Sequence, residues 1–191
     1  MRIAISGTHC MGKTTLIYDF LKIYPQYVYE EEPYYKLQEK HGIEFSGDPT
    51  LEDFIEQLEY SLERLDFHAD QANVIFERCP LDFVAYAMYL VHQEGMNLED
   101  THVSEMFPEI KEALGNLDLI IFLPMTKEHP IIGSDSEDEV YRRTVDALLK
   151  KMYREDLFDF FSSHDHPQRV EIWGNPAERM KKLGLYLEEM A

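Results

Sequence analysis

The chain has 191 residues and a mass of 22.6 kDa, the size of one domain. With 45% hydrophobic and 29% charged residues it has a globular composition, and no apolar run approaches the ~20 residues a membrane-spanning helix needs. Its 37 acidic against 18 basic residues give a formal net charge of −19, which repels nucleic-acid phosphates and anionic lipid headgroups and so disfavours both as partners.

The N-terminal MRIAISGTHCMGK lacks the apolar run and small-residue cleavage site of a signal peptide. Cys10 and Cys79 make no disulfide framework. The expectation is a reduced, cytoplasmic protein.

Residues 2–6 (RIAIS) read as a short apolar strand and residues 13–22 as a helix. Residues 27–30 are a second strand. Residues 51–69 carry Leu51, Phe54, Ile55, Leu58, Leu62 and Leu65 on one helical face, with Thr50 and Asp53 as a capping pair. Residues 73–77 form a third strand, followed by a helix over about 82–93. Residues 103–114 are helical with an interruption at Pro108. Residues 118–123 (DLIIFL) have the character of a buried central strand ending at Pro124. A long helix is predicted over 137–161, with Ser136 and Glu139 at capping-box spacing. Residues 169–173 are the last strand, ended by Gly174, and a helix covers about 176–190. The helices at 51–69 and 82–93 either pair across a homodimer or pack within the chain.

Strands alternating with helices predict a mostly parallel sheet of five strands covered on both faces. Ligands of such sheets bind at the carboxyl ends of the strands. Attention therefore falls on the residues after Ser6, Glu30, Glu77, Leu123 and Trp173.

After the first strand, Gly7-Thr8-His9-Cys10-Met11-Gly12-Lys13-Thr14-Thr15 satisfies the pattern Gly, four residues, Gly-Lys-Ser/Thr. Glycines let the backbone wrap phosphate oxygens. Successive N–H groups then form an anion nest, and the following helix adds its positive end. Lys13 is placed to meet the β- and γ-phosphates of ATP, and the Thr14 hydroxyl to ligate Mg²⁺. This is the local device that an anion needs against so acidic a surface. The fold expectation is a P-loop NTPase: a three-layer α/β/α sandwich in a single domain over 1–191, with a lid segment near 126–145. No Asn-Lys-x-Asp guanine signature is present, which disfavours a GTPase.

Two further segments narrow the class. Strand two ends in Glu30-Glu31-Glu32-Pro33-Tyr34-Tyr35, and strand three in Phe76-Glu77-Arg78-Cys79-Pro80-Leu81-Asp82. Together with the phosphate loop they resemble the deoxynucleoside kinases and nearby nucleotide-kinase-like P-loop enzymes, including the ribosylnicotinamide kinase group. The resemblance implies that Glu32, before Pro33, is the general base. It implies that Glu77 lies near Mg²⁺ or its waters, Arg78 near the transferring phosphate, and Asp82 near the substrate's base. Cys79 stands where the family has Ser. Arg142 and Arg143 resemble a lid helix, and Trp173-Gly174-Asn175-Pro176 the loop packed on adenine.

From the residues themselves, phosphoryl transfer needs positive charge on the phosphoryl oxygens and a base beside the acceptor hydroxyl. Lys13, Mg²⁺ and Arg78 supply the charge. Glu32 leads as base, with Glu30 and Glu31 as alternatives. Glu31, Tyr34, Asp82 and Tyr86 are candidates for contacting the acceptor. Arg142 and Asn175 join Gly7 to Thr15 as nucleotide contacts. Arg142 and Arg143 point in different directions on a helix, so at most one reaches the phosphates. His164 and His166 read as surface residues. The expected activity is transfer of the γ-phosphoryl group of ATP to a nucleoside, nucleotide or related small molecule. The rivals are an ATP-binding and ATP-hydrolysing switch module and a kinase for a non-nucleoside metabolite.

Overall fold

The computed structural model describes residues 1–41, 49–127, 139–162 and 166–190. Most of the segment expected to form a lid, including Ser136, lies outside the described residues, as does His164.

Five strands form one sheet: β1 (Arg2–Ser6), β2 (Val28–Glu30), β3 (Val74–Glu77), β4 (Leu119–Phe122) and β5 (Gln168–Glu171). Their order is β2-β3-β1-β4-β5, and every pairing is parallel. The crossovers are α1 (Lys13–Ile23), α2 (Pro33–His41), α3 (Leu51–Phe67), α4 (Pro80–Gln93), α5 (His102–Glu105), α6 (Phe107–Leu114) and α7 (Glu139–Glu155), with α8 (Pro176–Glu189) after the last strand.

Strand residues alternate between the two faces. Ile3, Ile5, Ile75, Leu119, Ile121 and Val170 pack with Leu16, Ile17 and Phe20 of α1 and Leu183 of α8. Ala4, Val74, Phe76, Ile120 and Phe122 pack on the opposite face with α3, α4, α6 and α7. The result is the expected three layers. Both faces of β1, β3 and β4 are covered, which is why their sequences are continuously apolar.

Most boundaries fall within a few residues of the expected ones. Thr50 and Asp53 form the expected reciprocal cap of α3. The interruption near Pro108 is real: α5 ends at Glu105 and α6 starts at Phe107 with the proline in its first turn, where no N–H is missed. The long helix ends at Glu155, short of the predicted 161. Helix α2 was not expected. Its Pro33 occupies the first helical position, so the residue that fixes the chain after Glu32 also starts a helix. α3 and α4 pack on each other, and α7 covers α4. Among the described residues no helix is long and apolar enough to cross a membrane.

Candidate active site

The phosphate loop runs from the end of β1 into α1. Gly7 has φ 145°, and a β-carbon there would lie 2.9 Å from the carbonyl oxygen of Leu123. Gly12 caps α1 in the left-handed conformation at φ 77°. Both positions therefore demand glycine. Between them Thr8 and Met11 are buried, while His9 and Cys10 are partly exposed. Thr14 and Thr15 open α1 on its solvent side.

Lys13 lies buried under the loop, its ammonium donating to the carbonyls of Gly7 (3.1 Å) and Thr8 (3.0 Å). Burial, reinforced by the nearby Arg78 charge, lowers its pKa to about 8 against the pull of Glu32, Asp82 and Glu77. Between about 8 and the ordinary 10.5 the unfolded chain holds this proton and the native chain does not. Stability of the ligand-free protein is therefore expected to gain a rising component over that window as pH increases. Urea midpoints across this range should show the component in wild type. Lys13→Met should lack it, and identical slopes in the two proteins would refute the assignment.

The carboxyl ends of β2 and β3 bring the remaining groups together. Arg78 follows β3 with φ 81°, a conformation that non-glycine residues rarely hold. Its guanidinium is buried. Nε donates to a Glu32 carboxylate oxygen, and Nη1 lies 3.3 Å from the Gly7 carbonyl oxygen and 3.7 Å from Asp82. Glu32 is thus joined to the phosphate loop through Arg78. Burial opposes ionisation of Glu32, but Arg78 and Lys13 outweigh it and hold the carboxyl below its usual range. A carboxylate so held is charged at neutral pH, and its proton affinity is lower than that of a free carboxylate.

The three glutamates of the acidic run are sorted by geometry. Glu30 is taken by Arg64 (3.0 Å) and His68 (2.8 Å) on the side of α3. Glu31 pairs with half-exposed Lys36 at 3.0 Å. Only Glu32 among them pairs with Arg78. Tyr34 is half-buried and accepts a hydrogen bond from Gln38, while its neighbour Tyr35 is exposed.

Glu77 ends β3 opposite Thr14, whose hydroxyl donates to one carboxylate oxygen at 2.5 Å. Tyr29 donates to the other oxygen. Two adjacent oxygen donors, one an acid, suit a hard cation that keeps most of its ligands as water and phosphate. Thr14 and Glu77 therefore fit Mg²⁺. Among the described residues no denser cluster of metal-ligating side chains exists.

Asp82, a candidate for contacting the acceptor, is bonded to the phosphate loop. It is fully buried, one oxygen accepting the Gly7 N–H (2.9 Å) and the other the Cys79 N–H (2.8 Å). Its capping of α4 and its hold on Gly7 are one device. Asp82→Ala would strand two buried N–H groups, each costing about 1–3 kcal/mol. A loss of roughly 2–5 kcal/mol is expected in urea denaturation. A loss within experimental error would show that the link carries no weight.

Tyr86, also expected at the acceptor, is nearly buried, and its hydroxyl accepts the backbone N–H of His9 at 2.8 Å. Its ring stacks on Phe54, with centroids 5.2 Å apart. Tyr141 closes the same wall, 5.3 Å from the His9 ring and 4.4 Å from Tyr89. Of the two arginines on α7, Arg142 is buried with Nη2 3.9 Å from the Met11 sulfur. Arg143 is exposed and paired with Glu139. Arg142 is the one that reaches the phosphate loop. Asn175 caps α8, accepting the Glu178 N–H at 3.0 Å. Cys10 and Cys79 form no disulfide. His166 is exposed.

Sequence reasoning missed Tyr29 and Arg179. Arg179 sits on the buried stripe of α8 with Leu183, four residues on. A charged residue on an apolar helical face was the available signal.

The loop, the strand order and the groups at the strand ends define a P-loop α/β/α nucleotide-binding fold. The AAA domain family model matches residues 2–179, and the chain belongs to that family. Among solved structures, deoxyadenosine kinase from M. mycoides with bound dATP superposes with a TM-score of 0.66 at 18% identity, over 98% of this chain and 100% of that one. The same enzyme with bound dCTP gives 0.63 at 16%, over 99% and 100%. NadR protein in complex with NR gives 0.57 at 14%, over 91% of this chain and 44% of that one. At these identities the likeness is one of fold. No curated protein sequence matches the chain.

Proposed function

We propose that the chain is an ATP- and Mg²⁺-dependent phosphotransferase, moving the γ-phosphoryl group to a hydroxyl or phosphate of a nucleoside, nucleotide or related small molecule in a reducing cytoplasm. The observation that carries this reading is the Glu32–Arg78 pair set against the Gly7 carbonyl, above buried Lys13. A carboxylate base, a buried cation and a phosphate cradle converge there. Binding of nucleotide alone does not call for a buried carboxylate at that point.

In the reaction, the acceptor oxygen bonds to the γ-phosphorus as the bond to the ADP oxygen breaks. Glu32 takes the proton of an acceptor hydroxyl. Lys13 and Arg78 neutralise charge on the phosphoryl oxygens. The loop from Gly7 to Thr15 cradles the phosphates through amides other than those of Gly7 and His9, which Asp82 and Tyr86 hold, with Arg142 above Met11 and Asn175 on the base side. Thr14 and Glu77 would hold Mg²⁺, which when bound would supply further neutralisation of the phosphate charge. Glu31, Tyr34 and the wall of His9, Tyr86 and Tyr141 lie on the acceptor side, while Asp82 holds the cradle in place. The dATP and NR named with the similar folds motivate nucleoside-like acceptors.

A coupled ADP-release assay with Mg²⁺-ATP tests this, run against ribonucleosides, deoxynucleosides, ribosylnicotinamide and nucleoside monophosphates. Acceptor-dependent turnover is expected. Tight ATP binding with a flat response across the panel would assign the site to a nucleotide switch or a non-nucleoside acceptor instead.

A further inference from the structure

Arg179 lies within the first turn of α8, and its side chain crosses to the phosphate loop. It is almost fully buried. Nη1 donates to the carbonyl oxygen of Met11 at 2.5 Å, and Nε to that of Gly174 at 2.9 Å. A β-carbon on Gly12 would lie 3.4 Å from Nη1. The guanidinium therefore sits directly against the turn from which the Lys13 amide emerges.

Among the described residues no carboxylate pairs with Arg179, although the chain has 37 acidic residues. Its two acceptors are neutral carbonyls. Burial alone acts on its proton affinity, downward, with no acid to restore it. Arg78, equally buried, is met by Glu32 and Asp82. A desolvated cation with only neutral partners is costly, and the cost falls when an anion arrives. The anion nearest to hand in this fold is whatever the loop cradles.

We infer that Arg179 is a positioning residue for the nucleotide phosphates: it pins the Met11 carbonyl behind the loop so that the following amides face the anion, and its buried charge is balanced by the bound phosphate chain. The link to Gly174 fastens the loop after β5 to the same point, so that the two sides of the nucleotide site are set by one side chain. The inference rests on the proposed nucleotide site.

The test is a charge series. Affinities for ATP, ADP and adenosine are measured by calorimetry on wild type, Arg179→Gln and Arg179→Lys, with Mg²⁺ present. Arg179→Gln is expected to weaken ATP about tenfold or more, ADP less, and adenosine not at all. Arg179→Lys keeps the charge and should recover most of the ATP affinity. Equal losses across the series, or none, would overturn the inference and leave Arg179 a structural link. If Arg179→Gln does not fold, Arg179→Lys against wild type decides: ATP and adenosine falling together overturns the inference, and ATP affinity held supports it. A wild-type protein that binds no ATP would remove the nucleotide site itself, which is a different failure.

Discussion

Replacing Lys13 by alanine is expected to lower phosphotransfer by roughly a thousandfold, about 4 kcal/mol of transition-state stabilisation. The ammonium is buried beneath the loop and held by two loop carbonyls, so no other side chain takes its place. The fold should survive the change. A lysine whose pKa is lowered to about 8 by burial contributes an unfavourable desolvation to the native state. Its removal therefore relieves that cost while stranding part of the loop's hydrogen bonding. Single-turnover measurements at saturating ATP separate lost chemistry from lost binding. An unchanged rate would end the phosphotransfer reading.

Glu32→Gln is expected to cut kcat by about 10²–10⁴-fold while leaving ATP affinity near the wild-type value. The amide retains the shape of the carboxylate and an oxygen for the Arg78 Nε–H, so the local geometry persists without the base. Glu30→Gln makes the contrast. Its carboxylate serves Arg64 and His68, so the change should lower stability and spare kcat. Glu31→Gln removes a half-exposed pair with Lys36 and should change stability little, with any functional loss falling on the acceptor KM and not on kcat. A kcat loss that tracked Glu30 or Glu31 instead would move the base within the run.

The layered fold was legible because its signals are local and repeated. Continuous apolar runs at 3–5, 74–76 and 119–123 belong to strands buried on both faces. The phosphate loop was legible because its glycines answer to backbone geometry that few other residues can adopt. What escaped depended on contacts distant in sequence. Nothing near residue 82 in the sequence says that its carboxylate turns back 75 positions to Gly7. A helix-capping aspartate and a ligand-reading aspartate look alike in a sequence. Helix α2 escaped because Pro33 reads equally as a loop residue and as the first residue of a helix. Which partner each of Glu30, Glu31 and Glu32 takes needed the positions of Arg64, Lys36 and Arg78, which come from three separate parts of the chain.

The two covered faces of the sheet differ in how their parts arrive along the chain. The face bearing α3, α4, α6 and α7 is built from neighbours between residues 51 and 155. The other face joins α1, which begins at Lys13, to α8, which begins at Pro176. During synthesis the phosphate loop emerges well before α8, and the layer that backs it waits for that helix. Closing that layer requires one of the longest loop closures in the molecule, a slow class of contact. A nascent chain thus has its nucleotide-binding motif long before it has a nucleotide-binding site, and a chain stalled before α8 would lack the layer that steadies the loop.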